Sequence, residues 1–266
     1  MGYEKILTMA LVIVSVIGFT PVIFSASQQT MAPAMFHSMP GASTNSLNWA
    51  GYAATGNAGS VTNVSASFVV PNVEPSSKTQ YVAFWAGIDG FNDNTVEQAG
   101  VLAQTSGGSV SYSAWFEFYP ASPVYASWHP APGNVMTVYI QYHSINDTMS
   151  ASVMDLNQSE SFTGWSSASS YERDSAEWIT EAPSSGHGIL PLADFGTVYF
   201  GNDSTGVKMT NYATINNSYG PMGNFSLTEI IMTTRSGSQK AVPSPVSSDG
   251  TSFSVTYTST KNSPNH

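Results

Sequence analysis

From about Leu47 onward the chain is a succession of short runs rich in Val, Tyr, Phe, Trp, Thr and Ser, divided by Gly, Pro, Asn and Asp at intervals of roughly ten residues. β-Branched and aromatic side chains suit a pleated, half-buried surface, and the dividing residues suit turns. The pattern predicts strands over 60–70, 80–89, 96–102, 110–119, 135–143, 149–155, 160–165, 176–179, 197–200, 208–215, 227–233 and 252–258. No helix-period segment of more than two turns follows residue 30, and no internal repeat is present. So many strands exceed a small barrel and predict an all-β jelly-roll sandwich of two large antiparallel sheets.

The residues are apolar enough to fill such a sandwich: 41% are hydrophobic, with 13 Phe, 13 Tyr and 6 Trp. Only 9% are charged, against roughly 25% in ordinary soluble proteins. Hydration then falls to Ser, Thr, Asn and Gly, whose polarity does not change with pH, and this suits an acidic exterior. With 7 basic against 17 acidic residues and a net charge of −10, the chain has no cationic footprint for nucleic acid or for an anionic membrane. It has no cysteine, which excludes disulfides, thiolate nucleophiles and cysteine-ligated metals.

At the N-terminus Lys5 precedes a largely apolar run from Ile6 to Phe24, followed by the small residues Ser25, Ala26 and Ser27. This is the form of a signal peptide over 1–27. An uncleaved anchor is the alternative, since a run of that length can just cross a bilayer. Residues 28–46, rich in Met, Pro, Ser and Ala, read as a linker or short pro-segment, 47–260 as the folded domain and 261–266 as a polar tail. Six N-x-S/T sequons, the first at Asn63, are compatible with export. The expectation is a secreted monomer, free of the membrane once the signal is removed.

Most hydrolase plans fail on residue type alone. There is no G-x-S-x-G elbow, and His129, His143 and His187 are too scattered for a zinc site. Asp203-Ser-Thr-Gly206 has one residue too many for the loop of a two-aspartate protease. Asp89, Asp93 and Asn94 lack the spacing of a calcium loop and read as turn residues. No metal and no cofactor is expected.

Carboxylates, carboxamides and aromatics remain, gathered in Asn48-Trp-Ala-Gly-Tyr52, Trp85-Ala-Gly-Ile-Asp-Gly90, Val96-Glu-Gln-Ala-Gly100, Trp115-Phe-Glu-Phe-Tyr-Pro120 and Ser175-Ala-Glu-Trp-Ile-Thr-Glu181. Strand alternation puts Trp115, Glu117 and Tyr119 on one face, and Glu177, Ile179 and Glu181 on one face. Such acids face either bulk water or a wet cleft, and alternation alone does not decide between them.

With W-x-G-I-D-G at 85–90, Q-x-G-V at 98–101, W-F-E-F-Y-P at 115–120, A-E-W-I at 176–179 and A-D-F-G at 193–196 following N-W-A-G at 48–51 in that order, the chain resembles the glutamic peptidases, the eqolisin family, over roughly residues 47–202. The resemblance implies a concanavalin-like sandwich and an acid-acting endopeptidase of protein or peptide substrates. It implies a catalytic dyad of Gln98 and Glu177, and a cleft lined by Trp49, Trp85, Asp89 and Glu117. Here Ala99 stands where the family has threonine after the glutamine, and the cysteines common in fungal members are missing. A carboxylate can take the proton of an attacking water and return it to the leaving amine. A carboxamide can orient that water and donate to the oxyanion without carrying charge. With an ordinary glutamate pKa of about 4.3, the base would stay ionised into mild acid.

Two other readings fit the same residue types. A jelly-roll glycoside hydrolase would use Glu117 and Glu177 as its carboxyl pair, and a lectin-like module would bind glycan through Asp89, Asn92 and exposed aromatics.

Overall fold

The computed structural model describes residues 43–258. The expected signal segment, the linker before Ser43 and the tail from 261 lie outside the described residues. Nineteen strands make up nearly all the regular structure of the described residues. They are β1 Ser43–Ser46, β2 Trp49–Thr55, β3 Val61–Val69, β4 Gln80–Ile88, β5 Val96–Ser106, β6 Ser109–Tyr119, β7 Val124–Tyr125, β8 Val135–His143, β9 Thr148–Asp155 and β10 Glu160–Ser167. They continue as β11 Ser175–Glu181, β12 Ser184–Ser185, β13 Gly188–Ile189, β14 Thr197–Phe200, β15 Tyr212–Ile215, β16 Ser218–Pro221, β17 Leu227–Thr233, β18 Gln239–Pro243 and β19 Phe253–Tyr257.

The pairings form two layers. One runs β1-β17-β2-β11-β4-β5-β6-β7, antiparallel throughout except for the parallel pair β1–β17. In the other, β3 pairs with β8 along one edge and with β14 and β15 along the other, and β9 and β10 extend it beyond β8. At one side β17, β18, β19 and β14 are hydrogen-bonded in turn, so the two layers share a continuous edge. This is the two-sheet antiparallel architecture expected from the spacing of the strand-like runs.

Between the layers lies the main core, with Phe68, Phe84, Phe195, Phe200, Val101, Val138, Ile140 and Trp178 fully or almost fully buried. The Trp178 indole Nε1 donates to the Ser65 carbonyl oxygen across the layers at 2.9 Å, which satisfies its polar atom in a dry interior. Phe200 and Phe253 stack at 4.8 Å with their planes 3° apart.

Strand β1 lies inside the segment expected to be a linker, where its sequence Ser-Thr-Asn-Ser carries no apolar alternation; its parallel pairing with β17 makes it a strand. Strand β2 was likewise not anticipated. Residues Trp49 to Ala54 are all buried, because β2 is central in its sheet and covered on both faces, so the alternation that betrays a half-exposed strand is missing.

Candidate active site

The first layer has a second, smaller apolar cluster on the face turned away from the main core: Trp49, Ala53, Ala83, Trp85, Val96, Trp115, Ile179 and Ile230, with Phe91 from the loop after β4. Alternation explains the division. Trp178 and Phe84 point between the layers, and their neighbours Ile179 and Trp85 point the other way. Trp49 and Trp85 meet edge to face at 5.0 Å.

On this outer face the register aligns four residues in one row across four strands. Glu177 of β11 stands opposite Gly87 of β4, Gly87 opposite Gln98 of β5, and Gln98 opposite Glu117 of β6. Strand spacing puts the backbones of Glu177 and Gln98 about 10 Å apart, near enough for two long side chains to serve one small group between them. Gly87 supplies no side chain to fill that interval. A Cβ there would come within 2.9 Å of the Trp85 ring and 3.2 Å of Gln98 Cβ.

Gln98 Nε2 donates to Glu117 Oε2 at 2.7 Å, which leaves Gln98 Oε1 and Glu117 Oε1 without a hydrogen bond to the protein. Gln98 is 4% exposed, Glu117 1% and Glu177 0%. None of them is a solvent-facing surface acid. Burial pushes the Glu117 carboxyl up to about 8, the Glu181 carboxylate adds to the shift, and the Gln98 hydrogen bond opposes it. The Glu177 carboxyl is also held well above its ordinary range, first by burial and then by the carboxyls of Asp89, Asp93 and Asp174, with the Ser175 hydroxyl acting in the opposite sense. The ordinary value of about 4.3 expected from sequence does not hold for this group in its dry surroundings.

The remaining expected site residues occupy supporting positions. Trp49 and Trp85 are fully buried in the floor of the face, so they shape it from beneath. Trp85 Nε1 donates to Glu181 Oε2 at 2.9 Å, and Asn48 Nδ2 donates to Glu181 Oε1 at 3.2 Å. Glu181 is therefore a buried carboxyl built into the floor, raised to about 7 by burial against the opposing hydrogen bonds of Trp85, Trp49 and Asn48. It sits two strand repeats beyond Glu177 on the same face, which alternation showed, but its donors come from other parts of the chain and were not legible.

Asp89 is fully buried just after β4, in the left-handed region at φ 70°. Its two carboxyl oxygens accept the backbone N–H groups of Arg173 at 2.8 Å and Asp174 at 2.9 Å. It thereby ties the loop after β4 to the segment that leads into β11, and so sets where Glu177 begins. Asp93 accepts from Thr95 N at 2.8 Å and from Gly90 N at 3.3 Å, the turn role expected for it. The carboxyl oxygens of Asp89, Asp93 and Asp174 lie within 4.8 Å of one another. Burial and the Asp93 carboxyl push Asp89 up to about 7. Glu97, adjacent to Gln98 but turned to the opposite face, is fully buried and raised by burial and by Asp89.

A glutamine and a glutamate thus stand on either side of a bare glycine, on one outer face of a two-layer antiparallel sandwich. Residues 47–258 match the model of the Peptidase A4 family, and the chain belongs to that family. The chain is 32% identical to aspergillopepsin-2 of Aspergillus niger over 182 residues, which cover 59% of this chain and 63% of that protein. It therefore spans a little under two thirds of the length of that curated relative. Among solved structures, the aspergilloglutamic peptidase from Aspergillus niger superimposes with a TM-score of 0.55 at 31% identity, over 67% of this chain and 99% of the other. Scytalido-glutamic peptidase with a transition state analog inhibitor shares the fold, with a TM-score of 0.65 at 22% identity over 79% of this chain and 98% of the other.

Proposed function

We propose that this chain is an endopeptidase that hydrolyses peptide bonds with a water activated by Glu177 and oriented by Gln98, without metal or covalent intermediate. The observation that carries the reading is the row Glu177–Gly87–Gln98, which sets a carboxyl and a carboxamide on one face with a glycine as the one residue between them in register. Membership of the Peptidase A4 family supports it.

In this reading Glu177 takes a proton from the water as it attacks the scissile carbonyl and passes that proton to the leaving amine. The free Oε1 of Gln98 accepts from the water, and the second Nε2 hydrogen serves the oxyanion. The attacking water donates to Glu177 and so favours its charged form, opposing the effect of burial. Asp89, raised to about 7 chiefly by burial, contributes by holding its proton: a neutral acid beside Glu177 removes the repulsion that its own ionisation would otherwise meet. Acid favours that arrangement, and it is the basis for proposing an acid-acting enzyme.

Secretion and a monomeric state are part of the same proposal, supported by the signal-like sequence of residues 1–27 and the sparse charge. Among the described residues no helix is long and apolar enough to cross a membrane.

The test is digestion of an unfolded protein from pH 2 to 7 by the parent, Glu177→Gln and Gln98→Ala, with and without chelator. Chelator-insensitive cleavage that favours acid and is lost in both variants is expected. Cleavage unaffected by either substitution would sink the dyad, and no cleavage by the folded parent would sink the peptidase reading.

A further inference from the structure

The row across the first layer does not stop at Gln98. Glu117 is the next residue in register and the one side-chain partner that Gln98 has among the described residues. The contact is short and buried on both sides. Around Glu117 stand Gln98 from β5, Glu181 from β11, the Tyr125 hydroxyl from β7, itself acted on by Tyr81 of β4, and Tyr119 two residues along its own strand. None of these brings a positive charge to balance a carboxylate.

We propose that Glu117 is the positioning residue of Gln98 and works only with its carboxyl neutral. As an uncharged acceptor it holds the amide toward the interval over Gly87, and on ionising it disables Gln98. This inference rests on the role assigned to Gln98 above.

The two protonation states differ in what they do to the amide. A neutral carboxyl accepts one Nε2 hydrogen as an ordinary hydrogen bond and leaves the second hydrogen and Oε1 to the substrate side. A carboxylate makes a charge-assisted bond, about twice as strong as a neutral one, and draws Nε2 toward β6. It also places a full negative charge against the group that has to stabilise a forming oxyanion, in surroundings where charge is poorly screened. Burial favours the neutral form, as the raised carboxyl of Glu117 indicates. Gln98 is thus supported in acid and compromised as the pH passes through the titration of Glu117.

The test is the pH profile of kcat and kcat/KM for a peptide substrate, compared among the parent, Glu117→Gln, Glu117→Asp and Gln98→Ala. Near-UV circular dichroism at each pH restricts the comparison to folded protein. Glutamine is neutral at every pH and keeps an acceptor oxygen at the same reach. The variant is expected to lose about fivefold in kcat at acid pH, the effect of one imperfect hydrogen bond of about 1 kcal/mol. Its falling limb is expected to move upward by at least about one pH unit, with KM little changed, because the charge whose onset defines that limb is gone. Aspartate keeps the ionisable group but draws it back from Gln98, so Glu117→Asp should show a lower kcat and retain the falling limb. A Gln98-dependent enzyme whose Glu117→Gln profile superimposes on that of the parent would overturn the gate alone. So would a Glu117→Asp profile without a falling limb. Undiminished turnover by Gln98→Ala would instead remove the dyad on which the gate rests.

Discussion

Glu177 of β11 stands directly opposite Gly87 of β4, and Gly87 in turn stands opposite Gln98 of β5, so the two members of the proposed dyad are neighbours separated by a residue without a side chain. The space between them depends on that glycine. Its closest neighbours are the Trp85 ring, the Glu97 carbonyl and Gln98 Cβ.

Gly87→Ala is therefore expected to damage activity more than stability. The added Cβ would meet the Trp85 ring at 2.9 Å and Gln98 Cβ at 3.2 Å, and accommodating it should cost about 1–3 kcal/mol of overpacking. The shift it forces acts on Gln98 itself. A displacement of about 1 Å at a positioned catalytic group costs about a hundredfold in rate. Steady-state kinetics beside a urea titration check this, and wild-type kcat/KM in a folded Gly87→Ala protein would contradict it.

The buried carboxyls make the fold acid-favouring. Glu117 is raised to about 8, and Glu181 and Asp89 to about 7, each chiefly by burial. In the unfolded chain such groups ionise near their ordinary values of about 4. Above that pH the unfolded state has lost protons that the folded state still holds, so stability falls as pH rises until each folded group titrates. The contribution is complete below about pH 4 and is lost between about pH 4 and 8, at up to about 1.4 kcal/mol per pH unit for each group. Thermal melts at pH 3, 5 and 7 should show Tm falling toward neutrality. Glu181→Gln should lessen that fall, and a Tm independent of pH over this range would be the contrary result.

Trp85→Phe isolates the floor of the face. It keeps most of the ring packing beside Trp49 but removes the Nε1 donor that Glu181 Oε2 uses at 2.9 Å. Leaving a buried acceptor short of a partner costs about 1–3 kcal/mol, and the loss should be greater at pH 7, where Glu181 is more ionised, than at pH 3. Chemical denaturation at both pH values measures the difference.

Asp89 provides a check on how β11 is placed. Asp89→Asn tolerates the φ of 70° but keeps an acceptor oxygen for only one of the two N–H groups and turns its NH2 toward the other, whereas Asp89→Leu leaves the backbone N–H groups of both Arg173 and Asp174 without their partner in a left-handed position hostile to a bulky residue. Thermal melts at pH 5 should find the asparagine variant less stable than the parent by about 1–3 kcal/mol, for one unpaired N–H, and the leucine variant lower still by at least about 1 kcal/mol. Equal stability of the two variants would show that the tie is unimportant.

Much of the architecture was readable in the chain. Half-buried strands alternate, so β8, β14 and β17 fall where the runs of Val, Ile, Tyr and Thr put them. The same alternation correctly grouped Trp115 with Glu117 and Glu177 with Glu181, because a strand has only two faces. It did not find β1, β7, β12, β13, β16 or β18, which are short and owe their conformation to a partner. Nor did it find β2, buried on both sides.

The sequence by itself determined the all-β class, the near absence of charge, the absence of cysteine chemistry and the short list of carboxyls and carboxamides available for catalysis. Tertiary structure decided which of them meet. Register within the β5–β6 hairpin, and between β4 and the distant β11, brings Gln98, Glu117 and Glu177 into one row, and a slip of one residue would have turned any of them to the opposite face. It also decided that these acids are buried, and burial raises their pKa values, since the energy of a charge depends on the solvent and neighbours around it.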